Sequence, residues 1–240
     1  MILLGIETAT KVCGVALVRE SQVLGERSLE EENVHAEKVL TLVDQTLADV
    51  GCSIAEVDAV AVSIGPGSFT GLRIGLSTAK GLSFALNQTL VGVPTLRGLA
   101  HRVVQAGQVP VGWSVLAVID ARRDEVYGQC FNVLHGDLVP LWKESDLTMA
   151  DLLGQIGEIG VVATGDGCGK LSAYLYEHES RVRIRFVDAR IAHCSAASVA
   201  VLGAELLRAG QLSDARTLEP LYIKDFYFKA PHIGQRSGGL

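Results

Sequence analysis

Apolar residues recur along the chain with two periods, and the change from one to the other marks out its elements. Residues 1–6 and 12–18 (VCGVALV) are apolar and strand-like, joined by a short stretch at 7–11, and residues 22–29 supply a third strand. Three short strands in succession predict an antiparallel meander. After the acidic stretch 26–33 the period lengthens. Ala36, Val39, Leu40, Val43, Leu47 and Val50 recur at three and four opposite Glu37, Lys38, Asp44, Gln45 and Asp49, which predicts a helix closed by Gly51. Residues 57–64 then return as an apolar strand suited to a sheet interior.

The stretch AVSIGPGSFTGLRIG, residues 61–75, joins that strand to a second helix through Gly65, Pro66 and Gly67, with Ser68 and Thr70 as candidate caps and an end near Leu86. Glycines there permit close backbone approach, and unpaired N–H groups at a helix start attract anions. The turn is therefore either an anion site or a tight strand-to-helix connection. Within the helix, Leu72, Leu76, Ala79, Leu82 and Leu86 form one stripe, while Ile74, Phe84 and Ala85 place apolar groups elsewhere. Arg73 and Lys80 are its only charges, and Gly71, Gly75 and Gly81 sit inside it at roughly 1 kcal/mol each relative to alanine. Such a helix is expected to be buried on more than one side, its glycines admitting another backbone, either in the core or at a protein interface.

A strand at 90–93, a helix from Pro94 and Thr95 to about Gln105, and a connection at 107–112 complete this half. The pattern then restarts. Strands are predicted at 114–119 and 125–133, a helix after Thr148, a strand at 160–163, a glycine-rich turn at 165–169, a helix at 171–176 and a last helix at 195–208. Two such halves suggest a duplicated α/β unit, with lobes at 1–108 and 109–229 and a disordered tail at 230–240.

Nearly half of the 240 residues are apolar, enough for a sizeable core, and no run is long enough to span a bilayer. With no basic leader and five scattered cysteines lacking any C-x-x-C pair, the expected setting is a reducing cytoplasm rather than a disulfide framework or zinc ribbon. A net charge of −6 gives no general basis for gripping a polyanion. Arg181, Arg183 and Arg185 alternate with apolar residues, placing three guanidinium groups on one strand face, either a solvated surface or an auxiliary RNA or phosphate contact.

The string SIGPGSFTGLRIG with LSTAK at 76–80, the early Ile6-Glu7-Thr8-Ala9-Thr10, and LYIKDFYFK at 221–229 closely resemble the bacterial TsaB family. The likeness is densest over residues 1–100. It implies two duplicated actin-like (ribonuclease H-like) lobes, each a mixed sheet flanked by helices. It also implies a non-catalytic partner of TsaD, which transfers threonylcarbamoyl to adenosine 37 of tRNAs reading codons that begin with adenine, with the ATPase TsaE joining the assembly. The partner interface is then expected at His35, Val39, Leu42, Thr46, Gly71, Arg73, Ile74, Gly75, Leu76, Thr78 and Leu82. A homodimer is expected in isolation, and contact with tRNA is expected to be indirect.

The actin-like enzymes of this likeness place an acid in a D-x-G turn after the first strand of each half to organise Mg²⁺ and phosphate. Here the turns read Glu7-Thr8-Ala9-Thr10 and Asp120-Ala121-Arg122-Arg123, each with an acid but no glycine. Candidate phosphate-facing residues are Glu7, Thr8, Thr10, Gly65, Gly67, Ser68, Asp120, Gly165 and Gly167. No tightly bound cofactor is expected, ATP or ADP with Mg²⁺ being left to a partner interface. Residues 165–170 lack the spacing and the Ser or Thr of a P-loop. The first long helix of TsaD carries histidines at i and i+4 for a metal. This chain has His35 alone, and Glu37 lies about 200° around the helix, so no metal site is expected. Ser68 sits in G-P-G-S-F, outside any G-x-S-x-G elbow. The alternatives are a stand-alone ATPase or phosphotransferase and a metallopeptidase.

Overall fold

The computed structural model describes residues 1–31, 34–178 and 182–224. Arg181, the tail at 230–240 and the second half of the 221–229 motif lie outside them. The first half runs β1 (Ile2–Glu7), β2 (Val12–Arg19), β3 (Gln22–Glu30), α1 (His35–Val50), β4 (Ala59–Gly65), α2 (Phe69–Leu86), β5 (Thr89–Pro94) and α3 (Thr95–Gln105). Its sheet has the order β3-β2-β1-β4-β5, an antiparallel meander on one side of β1 and parallel strands on the other. The second half repeats this plan with β6 (Ser114–Asp120), β7 (Glu125–Leu134), β8 (Asp137–Pro140), β9 (Ser145–Thr148), α4 (Met149–Ile156), β10 (Val161–Thr164), α5 (Cys168–Glu177), β11 (Ile184–Phe186) and α6 (Ala196–Arg208). The order β11-β10-β6-β7-β8 matches the first sheet strand for strand, with β9 added against β7.

Sequence periodicity misses β8 and β9, each four residues long. Their entry turn is nonetheless specified locally. His135 at φ 54° and Gly136 at φ 95° supply the two left-handed positions that a two-residue hairpin of the right twist demands. The arginine-bearing strand is shorter than expected, and Arg183 precedes it. Thr70 is not a cap: Ser68 alone caps α2, its hydroxyl accepting the Gly71 N–H at 3.3 Å.

Each half lends its last helix to the other. On one face of the first sheet, α1 and α2 bury Leu4, Ile6, Val15, Leu17, Val60 and Val62. On the opposite face α6 packs Ala200, Val201 and Ala204 against Leu3, Val18 and Ala59. In turn α3 packs Leu96, Leu99 and Val103 against Val115, Ala117 and Val162 of the second sheet, whose other face carries α4 and α5. The start of α6 is held by the first half, where the Glu26 carboxylate accepts from the Ser195 hydroxyl at 2.8 Å and the Ala197 N–H at 3.1 Å. An acid there satisfies orphan helix donors and meets the positive end of the helix dipole. The division expected at 108 thus separates the strands of two sheets, while the packing crosses it.

Beyond α6 the chain returns along the first half. Ser213 bridges Leu90, and the Leu221 N–H donates to the Ile64 carbonyl at 2.7 Å. The strap ends over α2, where Tyr222 stacks near Phe69 and accepts from the Arg73 Nε at 2.9 Å. Lys224 then reaches the second half, donating to the Ala121 carbonyl at 3.1 Å and pairing with Glu125.

Candidate functional site

The glycine turn, the two acid turns and the outer face of α2 are the places where the chain could do chemistry or bind. In the glycine turn the N–H groups are largely spent internally. The Ser68 N–H donates to the Ala9 carbonyl at 2.6 Å, and the Gly65 N–H donates to the Thr95 hydroxyl at 3.0 Å. Gly67 lies so close to Ala9 that a Cβ would stand 2.2 Å from that carbonyl oxygen. The Ala9 carbonyl thus closes on the glycine turn from the side of the β1–β2 turn.

Two glycines of α2 serve the same contact. A Cβ on Gly71 would meet the Thr8 carbonyl oxygen at 2.1 Å, and one on Gly75 would meet the Thr8 hydroxyl oxygen at 2.1 Å. That hydroxyl donates to the Gly71 carbonyl at 2.9 Å. The backbone admitted by these two notches is the chain's own β1–β2 turn, the first of the two alternatives expected for the helix glycines. Leu76, Val39 and Leu42 belong to the core, and His35 and Thr46 are buried as well. His35 places Nε2 3.0 Å from the Thr10 carbonyl, and Thr46 donates its hydroxyl to the Leu42 carbonyl at 2.7 Å. Of the expected interface set, Arg73, Ile74, Thr78 and Leu82 reach the surface.

What α2 does present outward was legible only in part. Thr70, Ile74, Ser77, Thr78, Gly81 and Ala85 fall at helical spacing on one exposed or half-exposed strip that carries no charge. Gly81 has open space where a Cβ would be. Beside the strip stand Phe84, 90 % exposed, and on neighbouring α1 Leu40, 54 % exposed. Arg73 is drawn away from it, its guanidinium lying 3.7 Å from the Phe69 ring centroid and bonded to Tyr222.

Glu7 and Thr8 are 1 % and 0 % exposed, so neither faces solvent. The Glu7 carboxyl accepts from the Ala9 N–H at 2.6 Å. Burial pushes its pKa up from 4.5 to about 7 against the lowering effect of that bond and of Ser63 and Thr8, with a small further rise from Glu26. The second acid turn is occupied differently. Asp120 is exposed, but the Lys170 ammonium sits 2.6 Å from its carboxylate and also donates to the Arg123 carbonyl at 2.5 Å. A lysine thus neutralises the acid of the second turn. Gly165 and Gly167 are packed on the end of β6, the Gly167 N–H donating to the Val118 carbonyl at 3.2 Å.

Between the halves, Thr10, Leu99, Asp166 and Cys194 line a cavity of about 30 Å³. That is room for about one water, an order of magnitude below an ordinary ligand site. Among the described residues no group of three or more His, Cys, Asp or Glu side chains is placed to hold a metal, and no helix is long and apolar enough to cross a membrane.

Two mixed sheets with exchanged terminal helices and one strand order define a duplicated α/β protein of the actin-like architecture. The family model described as "TsaD: tRNA N6-adenosine threonylcarbamoyltransferase" matches residues 23–230, and the chain belongs to that family. Among relatives it is 35 % identical over 125 residues to the tRNA threonylcarbamoyladenosine biosynthesis protein TsaB of Haemophilus influenzae, covering 52 % of this chain and 51 % of that protein. It is 38 % identical over 127 residues to the Escherichia coli protein of the same name, covering 53 % of each. The match spans about half the length of these curated relatives. Over the whole fold the chain resembles YeaZ from Pseudomonas aeruginosa with a TM-score of 0.78 and 28 % identity, covering 92 % of this chain and 99 % of that one.

Two outcomes check this geometry. Gly75→Ala should cost about 1–3 kcal/mol by overpacking against Thr8, whereas Gly81→Ala should gain up to about 1 kcal/mol, both read by urea unfolding. Equal effects at the two positions would contradict the notch. For Glu7 the fold favours the protonated acid, so its contribution is fully present below about pH 4.5 and is lost as pH rises to about 7. Glu7→Gln should flatten that decline, worth about 3 kcal/mol in total, across unfolding curves from pH 5 to pH 8. An unchanged slope would place the titration elsewhere.

Proposed function

We propose that the chain is a non-catalytic subunit of the machinery that makes threonylcarbamoyladenosine in tRNA, docking on a catalytic TsaD-type subunit through the uncharged outer strip of α2 with Leu40 and Phe84. One observation carries the reading: α2 keeps that strip exposed and free of charge, while its own glycine turn is closed on the Ala9 carbonyl. Interface cores are depleted in charge, and this strip of small, uncharged residues flanked by exposed Leu40 and Phe84 fits that composition. The closed turn, the Lys170–Asp120 pair and the narrow interlobe cavity all argue against turnover by the chain alone.

In this reading the catalytic partner transfers the threonylcarbamoyl group to adenosine 37 and carries the main grip on tRNA. A TsaE-type ATPase completes the assembly, and ATP or ADP with Mg²⁺ binds at a partner interface rather than tightly in this chain. The same strip pairs two copies when the partner is absent, and the complex works in the cytoplasm. The relatives' names support the pathway, and the exposed strip supports the mode of docking.

The test combines Leu40→Lys with Ala85→Arg, both at exposed positions. The double variant should keep its melting temperature yet bind the TsaD-type partner at least roughly 30-fold more weakly, as for loss of an interface hot spot. Binding is read by calorimetry, and tRNA modification by the reconstituted system should fall with it. Full binding by the variant would reject the face, and Mg²⁺-dependent ATP hydrolysis by the pure chain would favour the stand-alone enzyme.

A further inference from the structure

At the far edge of the second sheet, Trp113 lies just before β6 with its ring against Gly160, where a Cβ would stand 3.0 Å from the indole. Over that ring lie two exposed guanidinium groups, Arg183 at 5.3 Å and Arg185 at 4.9 Å from the centroid. They come from alternate residues at β11, so both project from one face, while Ile184 between them turns into the core of the other face. Parallel pairing of β10 with β11 fixes their height along the sheet, and the Arg183 carbonyl accepts the Val161 N–H at 2.9 Å.

Arg27, Arg190 and Arg216 each hold a carboxylate, of Asp49, Asp188 and Asp214. What sets Arg183 and Arg185 apart from the remaining surface arginines is that both lie over one indole. Among the described ion pairs and hydrogen bonds, the Arg183 and Arg185 side chains enter none; the indole is their recorded contact. Two guanidinium groups held beside one another on an aromatic face, both exposed, offer N–H donors that suit phosphate oxygens. With glycine on one side of the indole and arginines over the ring, what the feature offers a ligand is paired donors rather than a stacking platform for a base.

We infer that Arg183 and Arg185, braced on Trp113, form an auxiliary contact for the phosphodiester backbone of the RNA substrate. This rests on the function proposed above, which supplies the RNA, and adds a direct touch by this chain to a grip otherwise held by its partner. Because the net charge is −6, the contact acts locally, anchoring the RNA at one edge instead of drawing it to the whole surface.

The experiment measures binding of an unmodified tRNA transcript by fluorescence anisotropy at 50 and 200 mM salt, for the full chain alone and with its TsaD-type partner. Two phosphate contacts add about 1.8 to the salt slope, so over this range the wild-type complex should lose roughly 12-fold more affinity than one carrying Arg183→Gln with Arg185→Gln. Arg190→Gln, at an arginine already held by Asp188, should leave the slope where it was. Equal slopes for the wild type and the double variant in a complex that forms would overturn the inference, as would a like change from Arg190→Gln. If the chain failed to pair with the partner yet bound tRNA with the expected dependence on these two arginines, the contact would stand and the functional reading would fall.

Discussion

The seating of Thr8 and Ala9 in the notch of α2 is the contact on which the rest of the first half depends. Thr8 can lie flat on the helix only because residues 71 and 75 have no side chains, and its hydroxyl then bonds the Gly71 carbonyl at 2.9 Å. The same approach brings the Ala9 carbonyl onto the Ser68 N–H, so the loop that would wrap a phosphate closes on protein instead. The same closure leaves Glu7 buried, which accounts for the raised pKa of its carboxyl. Packing at two glycines and one alanine thereby creates a titrating acid in the core.

The halves cannot be considered apart from one another. Because α6 covers the first sheet and α3 the second, each half's core is completed by the other, and Glu26 holds the exchanged helix by its N-terminus. The strap at 213–224 closes the circuit by running from the β5 edge past α2 to Lys224 on the β6–β7 turn. With both inner helices in contact and a cavity of only about 30 Å³ between the halves, opening the cleft would require exposing buried apolar surface. The two halves are thus fastened from several directions.

Periodicity was enough to read the strands and helices of the first half and the repetition of the plan in the second, because amphipathic segments carry their burial pattern in the chain. It failed for β8 and β9, which are shorter than the window in which a period can be recognised. The site was harder to read for a different reason. A glycine in a helix signals close approach without saying to what, so Gly71, Gly75 and Gly81 look alike in sequence, yet two face Thr8 and one faces open space. The family resemblance implies Val39, Leu42 and Leu76 at an interface, although their spacing marks them equally well as core, where they lie. The cation at Asp120 is separated from it by 50 residues, and no local pattern pairs them. Trp113 and Arg185 likewise meet only after β10 has been laid between their strands.

Gly81 separates the two uses of glycine in α2. Gly71 and Gly75 have their helix cost of about 1 kcal/mol each offset by the contacts of Thr8 inside the fold, whereas Gly81 has no atom within 4 Å of its would-be Cβ and the same intrinsic cost. Nothing within the described fold compensates it. A flat spot on an uncharged strip lets a second helix approach backbone to backbone, which a side chain there would prevent. Under the docking proposed for this face, the residue that weakens the isolated helix is the one that sets how closely a partner can lie.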